Sequence, residues 1–151
     1  MRRSEKQITD PGEINTIMAK GEVCRLGLTA DNIPYIVPVN FAHKKNILYF
    51  HSAHVGRKID MLKRNPVVAF EVSSEYSIVQ GDNACGWGCS YRCVMGIGRA
   101  VFVTDSEEKA KALSLIMDKY SGRNNWSFDN SVLDRTTVVR VDIGEMTGKQ
   151  S

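Results

Sequence analysis

Apolar residues recur at two spacings along this chain, and the spacings divide it into helices and strands. Ile14, Ile17 and Met18 follow at helical spacing behind Asp10-Pro11-Gly12-Glu13. That segment is an N-cap aspartate with proline in the first turn, and Gly21 supplies the stop. Val23 to Leu28 reads as a strand. Asp31-Asn32 turns it into the run from Pro34 to Phe41, where Tyr35, Val37, Val39 and Phe41 share one face by the two-residue period. Pro38 cannot donate to a ladder, so it marks an edge, a bulge or the approach of something other than a strand. Lys44-Lys45-Asn46 turns the chain into Ile47 to His51. A short helix is predicted next, with Ser52 near its N-terminus, Ile59 and Leu62 as its buried stripe, and Asn65-Pro66 as its end.

Val67 to Val72 is another predicted strand, and Ser73 to Ser90 is a polar segment predicted to be partly strand. Tyr91 to Val103 reads as a long strand in which Gly96 and Gly98 thin one face. Ser106 is the predicted cap of a helix whose core stripe is Leu113, Ile116, Met117 and Tyr120, and Val138 to Ile143 closes the fold. The turns are too short for parallel crossovers, so the strands pair antiparallel. The prediction is a mainly β architecture with peripheral helices, an antiparallel barrel. The 151 residues carry no repeat and no Pro/Gly-rich linker, which predicts a single domain over residues 1–151.

Composition narrows the function more than the fold. The net charge of +3 comes from 20 basic residues interleaved with 17 acidic ones, which gives no basis for a nucleic-acid partner. Arg2-Arg3 and Lys44-Lys45, the longest basic runs, read as a solvated tail and a turn. The start of the chain has no signal-peptide pattern, and no run approaches a membrane span. Cys24, Cys85, Cys89 and Cys93 are therefore expected as reduced thiols, and the expected address is cytoplasmic.

The segment from Tyr49 to Asp60 carries the most chemistry. A strand ends in the hydroxyl of Ser52, and a turn containing Gly56 then opens a helix with Arg57 and Lys58 in its first turn. Free N–H groups and the positive end of the helix dipole favour an anion there. Arg57 adds a bidentate fork and Lys58 a mobile point charge. Both a phosphate cradle and a solvated basic turn flanking Asp60 fit this pattern, although cations at a helix N-terminus need a reason.

The order Phe50-His51-Ser52, three spacers, Gly56-Arg57-Lys58 resembles the flavin-phosphate motif of the pyridoxamine phosphate oxidase family. Asn65-Pro66-Val67-Val68 and Pro34-Tyr35-Ile36-Val37-Pro38-Val39-Asn40 resemble two further landmarks of that family. Within it, Tyr-Ile-Val-Pro-Val-Asn, Phe-His-Ser-Ala, Ala-Cys-Gly-Trp and Met-Thr-Gly-Lys segments are most similar to the nitroimidazole-resistance-related flavoproteins. The likeness runs from about residue 5 to 149. It implies an FMN-binding split β-barrel and a homodimer with flavin at the subunit interface. By the same resemblance Ser52, Arg57 and Lys58 hold the phosphate, and the backbone around Val37, Pro38, Val39 and Asn40 lines the ring. His51 takes the place of a family tyrosine beside the cofactor and is the catalytic candidate. Cys93 stands where the oxidase has a flavin-contacting glutamine. No counterpart of the oxidase's C-terminal Trp and Arg is present, so oxidation of pyridoxamine phosphate is not expected. Reduction of a small electrophile such as a nitro compound is.

Three other assignments compete. His51 also reads as a strand-end histidine bonded to backbone, while His43 and His54 read as loop histidines. A flavin- or haem-binding module without turnover would use His51 or His54 as an axial ligand. Cys85, Cys89 and Cys93, four residues apart, lack a fourth ligand for zinc, so no metal is assigned. Cys85-Gly86-Trp87 is expected either to close over a flavin pocket, its own or the neighbouring subunit's, or to pack its own loop.

Overall fold

The computed structural model describes residues 4–151, so the Arg2-Arg3 run lies outside the described residues. After a short β1 (Gln7–Ile8), helix α1 (Pro11–Lys20) starts where the sequence predicts. Asp10 accepts a hydrogen bond from the Glu13 amide, Gly21 ends the helix, and Ile14, Ile17 and Met18 are buried. Strand β2 (Cys24–Ala30) then turns into β3 (Ile33–Val39) through Asp31 and Asn32. Both turn residues adopt positive φ, 52° and 61°, as a two-residue hairpin turn of matching twist requires. Asn40 interrupts the run predicted from Pro34 to Phe41, and β4 (Phe41–Lys44) follows as a separate strand. A second two-residue turn leads into β5 (Ile47–Ser52), and α2 (Arg57–Arg64) buries Ile59, Met61 and Leu62.

β6 (Val67–Val79) and β7 (Gly88–Val103) are both longer than predicted and form one hairpin. α3 (Ser106–Ser121) is capped by Asp105, whose side chain accepts from the Glu108 amide, and not by Ser106. Aspartate and serine are both good caps, and the backbone leaves the extended region one residue earlier than the sequence suggests. A one-and-a-half-turn helix, α4 (Asn130–Arg135), precedes β8 (Thr137–Gln150). No helix of the described residues is long and apolar enough to cross a membrane.

All strand pairs are antiparallel, in the order β3-β2-β6-β7-β8-β5-β4, with β1 added to β8. The two edges, β3 and β4, are consecutive in sequence and meet only through Asn40. The result is a split barrel rather than a closed one. Pro34 and Pro38 both lie on the edge strand β3, where a missing N–H is tolerated. The interior is filled by Leu26, Leu28, Phe41, Leu48, Phe50, Val68, Val72, Val94, Val139 and Val141, with α1 and α2 packed on its ends. Gly96 is not simply a thinner position: a Cβ there would stand 2.4 Å from the Phe70 ring and 2.6 Å from the Glu145 carbonyl, so only glycine lets Phe70 fill the barrel.

A second cluster of Val103, Leu113, Leu133 and Val138 seats α3 and α4 on the outside of β5 and β8. Tyr120 fastens the other end of α3 by donating to the Glu22 carbonyl at 2.6 Å and accepting from the Phe41 amide at 3.1 Å.

Candidate functional site

The first turn of α2 holds two cations, Arg57 and Lys58, and among the described residues no carboxylate is paired with either. Its N-cap, Gly56, has φ 126° and supplies no side-chain cap, so the amides of the first turn stay open. A Cβ placed on Gly56 would meet nothing within 4 Å, so the space beside the N-cap is open. Among the described residues no carboxylate comes within 4.0 Å of Arg57 or Lys58.

Each cation is held by an aromatic ring instead. The Arg57 guanidinium lies 4.5 Å from the centre of the Tyr35 ring, which ties the start of α2 to the edge strand β3. Lys58 Nζ lies 5.5 Å from the centre of Phe50 and is half-buried, and that burial lowers its pKa below the usual lysine value. His51, on β5 beside Ser52, has its pKa lowered by burial first and by the Lys58 charge second. The imidazole is therefore neutral at neutral pH, and His51 stands within reach of the Lys58 charge. Ser52 ends β5 opposite Thr137 and is not part of the helix cap.

His54 is occupied. Its Nε2 lies 2.7 Å from the Asp134 carbonyl, which can only accept, so the ring proton sits on Nε2. Nδ1 then accepts from the Thr137 hydroxyl at 2.7 Å. His54 thus pins the loop before α2 to α4, and neither nitrogen is spare for a haem iron. His43 departs from its predicted loop position: it lies within β4, with Nε2 buried and unpaired, and burial lowers its pKa.

The remaining predicted residues lie on the sheet. Val37 is half-buried, Val39 buried, and Pro38 and Asn40 exposed along the β3 edge. Cys93 is buried on β7 between Ser73 and Lys149. It does not reach the cradle of its own chain. Val103 is the β7 residue level with Val138 and hence with His51, and Cys93 lies ten residues further along, roughly 30 Å of strand. Cys89 and Cys93 are separated along β7 by roughly 13 Å, too far for one zinc ion. Cys89 instead faces the Tyr76 hydroxyl at 3.2 Å, and Cys85 is exposed on the loop between β6 and β7.

A groove of about 660 Å³ crosses the outer face of β3, β2, β6, β7 and β8. Gly27, Ala69, Ile36, Met95 and Ile97 line it. Sequence reading missed this groove, because its small residues are spread over strands far apart in the chain. Tyr35 was legible only as a member of an alternating run, and nothing in that run reveals a ring under Arg57.

The pyridoxamine 5′-phosphate oxidase family profile matches residues 10–150. A candidate 5-nitroimidazole antibiotic resistance protein of Bacteroides thetaiotaomicron superposes with a TM-score of 0.85 at 32% identity, over 95% of this chain and 86% of that one. An FAD- and haem-binding protein of Mycobacterium smegmatis has a TM-score of 0.84 at 18% identity, over 97% of this chain and 73% of that one, and shares the fold. An uncharacterised protein of Rhizobium meliloti, RA0666, is 39% identical over 61 residues, a match that spans 40% of each chain.

Proposed function

The chain belongs to the pyridoxamine 5′-phosphate oxidase family, and on that premise we propose that it is an FMN-binding, flavin-dependent reductase of small electrophiles such as nitro compounds. The observation that carries this reading is the pair Arg57 and Lys58 at the open N-terminus of α2. Both lack a carboxylate, and one is already half-desolvated. A buried cation without a counter-ion is unfavourable, and a phosphate seated there would remove the penalty. The open space beside Gly56 admits it.

In this reading Ser52, Arg57 and Lys58 hold the phosphate. The edge backbone from Val37 to Asn40, unpaired on one side, offers hydrogen bonds to the polar rim of the ring. One cradle, with no second glycine-rich loop, suits a single phosphate and so FMN. When bound, FMN supplies the electron pair for reduction. His51 is the residue assigned to the substrate. As a neutral imidazole it orients an acceptor oxygen through its N–H. Burial first and the Lys58 charge second hold down the proton affinity of His51, and a phosphate on Lys58 would offset the second of these. The likeness to the Bacteroides thetaiotaomicron protein supports nitro compounds as the substrate class.

A homodimer in the cytoplasm completes the proposal. The activity is tested by photoreducing the reconstituted protein anaerobically and adding a nitroimidazole. Reoxidation of the flavin is expected; flavin that stays reduced would refute the reductase assignment.

A further inference from the structure

α3 carries apolar side chains that its own core does not use. The helix buries Ala112, Leu113 and Ile116. Ala110 and Leu115 lie beside that stripe and stay partly open. On β5, Leu48 and Phe50 fill the barrel, so the alternate residues Ile47 and Tyr49 point outward. These four side chains form the floor of a second groove, of about 500 Å³, between α3 and the β4–β5 turn. It shares no lining residue with the outer-sheet groove, and Ser52, Arg57 and Lys58 do not line it. A concavity of that size with an apolar floor has the form of a small-molecule site.

The rim is cationic. Lys44, Lys45 and Lys111 line the groove, and no carboxylate does. Among the described residues no carboxylate lies within 4.0 Å of Lys44 or Lys45. The neighbouring acids are engaged elsewhere. Glu108, beside Tyr49, and Asp142, level with Ile47, are both held by Arg140 at 3.1 Å. Glu107 reaches Lys111 at 3.4 Å, with both side chains exposed. A pair so exposed contributes little, so Lys111 can turn to another anion. Like charges around a concavity with apolar walls concentrate anions within it.

We propose that this groove binds a small organic anion, a carboxylate or sulfonate carried on an aryl or alkyl group. The apolar part rests on Ile47 and Leu115, and the anionic group sits among the three ammonium groups. The site is separate from the proposed flavin cradle, and the inference does not rest on that cradle. Size and charge together select the ligand class. An inorganic anion leaves the apolar floor wet, and a neutral hydrophobe leaves three like charges uncompensated. A nucleic acid needs a longer basic track than three lysines around one concavity.

The test uses two probes of the same shape, naphthoate and the neutral naphthamide, titrated into the protein and followed by its backbone amide resonances. Excess FMN keeps the probes out of the flavin site. Repeating the titration without FMN separates a failure of the flavin reading from a failure of this one. Naphthoate is expected to shift the amides of Lys44 to Ile47 and of Ala110 to Leu115. It should bind roughly tenfold tighter than naphthamide or better, the lower end of what a focused field supplies. Lys44→Gln/Lys45→Asn should abolish that preference and leave naphthamide affinity unchanged. Asparagine is chosen because Lys45 has φ 56°, which asparagine tolerates. Leu115→Ser should weaken both probes. None of these side chains is fully buried, so both variants should fold, which far-UV circular dichroism checks. Absence of shifts from both segments, equal affinity for the two probes, or a lysine variant that keeps the preference would overturn the site. A Leu115→Ser variant that binds both probes as the parent does would overturn the apolar floor.

Discussion

The guanidinium of Arg57 stacks on the ring of Tyr35 at 4.5 Å. Through this contact the helix that carries the proposed phosphate cradle is fixed to the edge strand assigned to the flavin ring. An exposed cation–π contact contributes ~0.5–1 kcal/mol, so Tyr35→Leu should weaken FMN binding by roughly two- to fivefold, chiefly through faster release. Fluorescence titration and stopped-flow dissociation check this. Unchanged release would show that Arg57 holds its place without Tyr35.

Lys58→Ala should be more severe. It removes a charge-assisted contact of ~1.5–3 kcal/mol, equivalent to roughly 10- to 150-fold in FMN affinity. Riboflavin, which lacks the phosphate, should bind parent and variant alike. A loss shared equally by both ligands would place Lys58 against the ring and not the phosphate.

His51→Ala is expected to keep FMN and lose turnover by roughly a hundredfold, the scale of a lost acid–base group. Normal turnover in the variant would make His51 a structural residue.

Stability should fall on acidification. His43 and His51 both have pKa values below 6.5 in the folded chain, through burial in each case, with Lys119 adding to the effect at His43 and Lys58 at His51. The unfolded chain therefore binds more protons in the window between those lowered values and 6.5, and stability is lost as pH falls through it. His43→Asn should flatten the dependence of Tm on pH between 7 and 5. An unaltered slope would mean that His43 does not titrate in this window.

How far the sequence foretells this structure depends on where the information sits. α1 was legible to the residue because Asp10, Pro11 and Gly21 act locally. The proposed cradle rests on equally local information, since Ser52, Gly56, Arg57 and Lys58 are neighbours in sequence. The extension of β6 past Val72 was legible only in part, because Ser73 to Ser90 is rich in polar residues and its pairing with β7 is set by the long strand that precedes it. α4 was missed since six residues give no period, and its position depends on His54, eighty residues earlier. Asn40 splits a run that alternates without fault, because the break belongs to the opening of the barrel and not to local propensity. The groove and the isolation of Cys93 from the cradle are products of strand order, which one sequence does not display.

The identity of the cofactor tests the central claim most directly. The protein, purified after expression and reconstituted where necessary, is denatured and the released cofactor chromatographed against FMN, FAD and haem standards. FMN in near one-to-one ratio with the chain is the predicted result. FAD, haem, or no bound cofactor after reconstitution would contradict the assignment of Ser52, Arg57 and Lys58 as a single-phosphate flavin site.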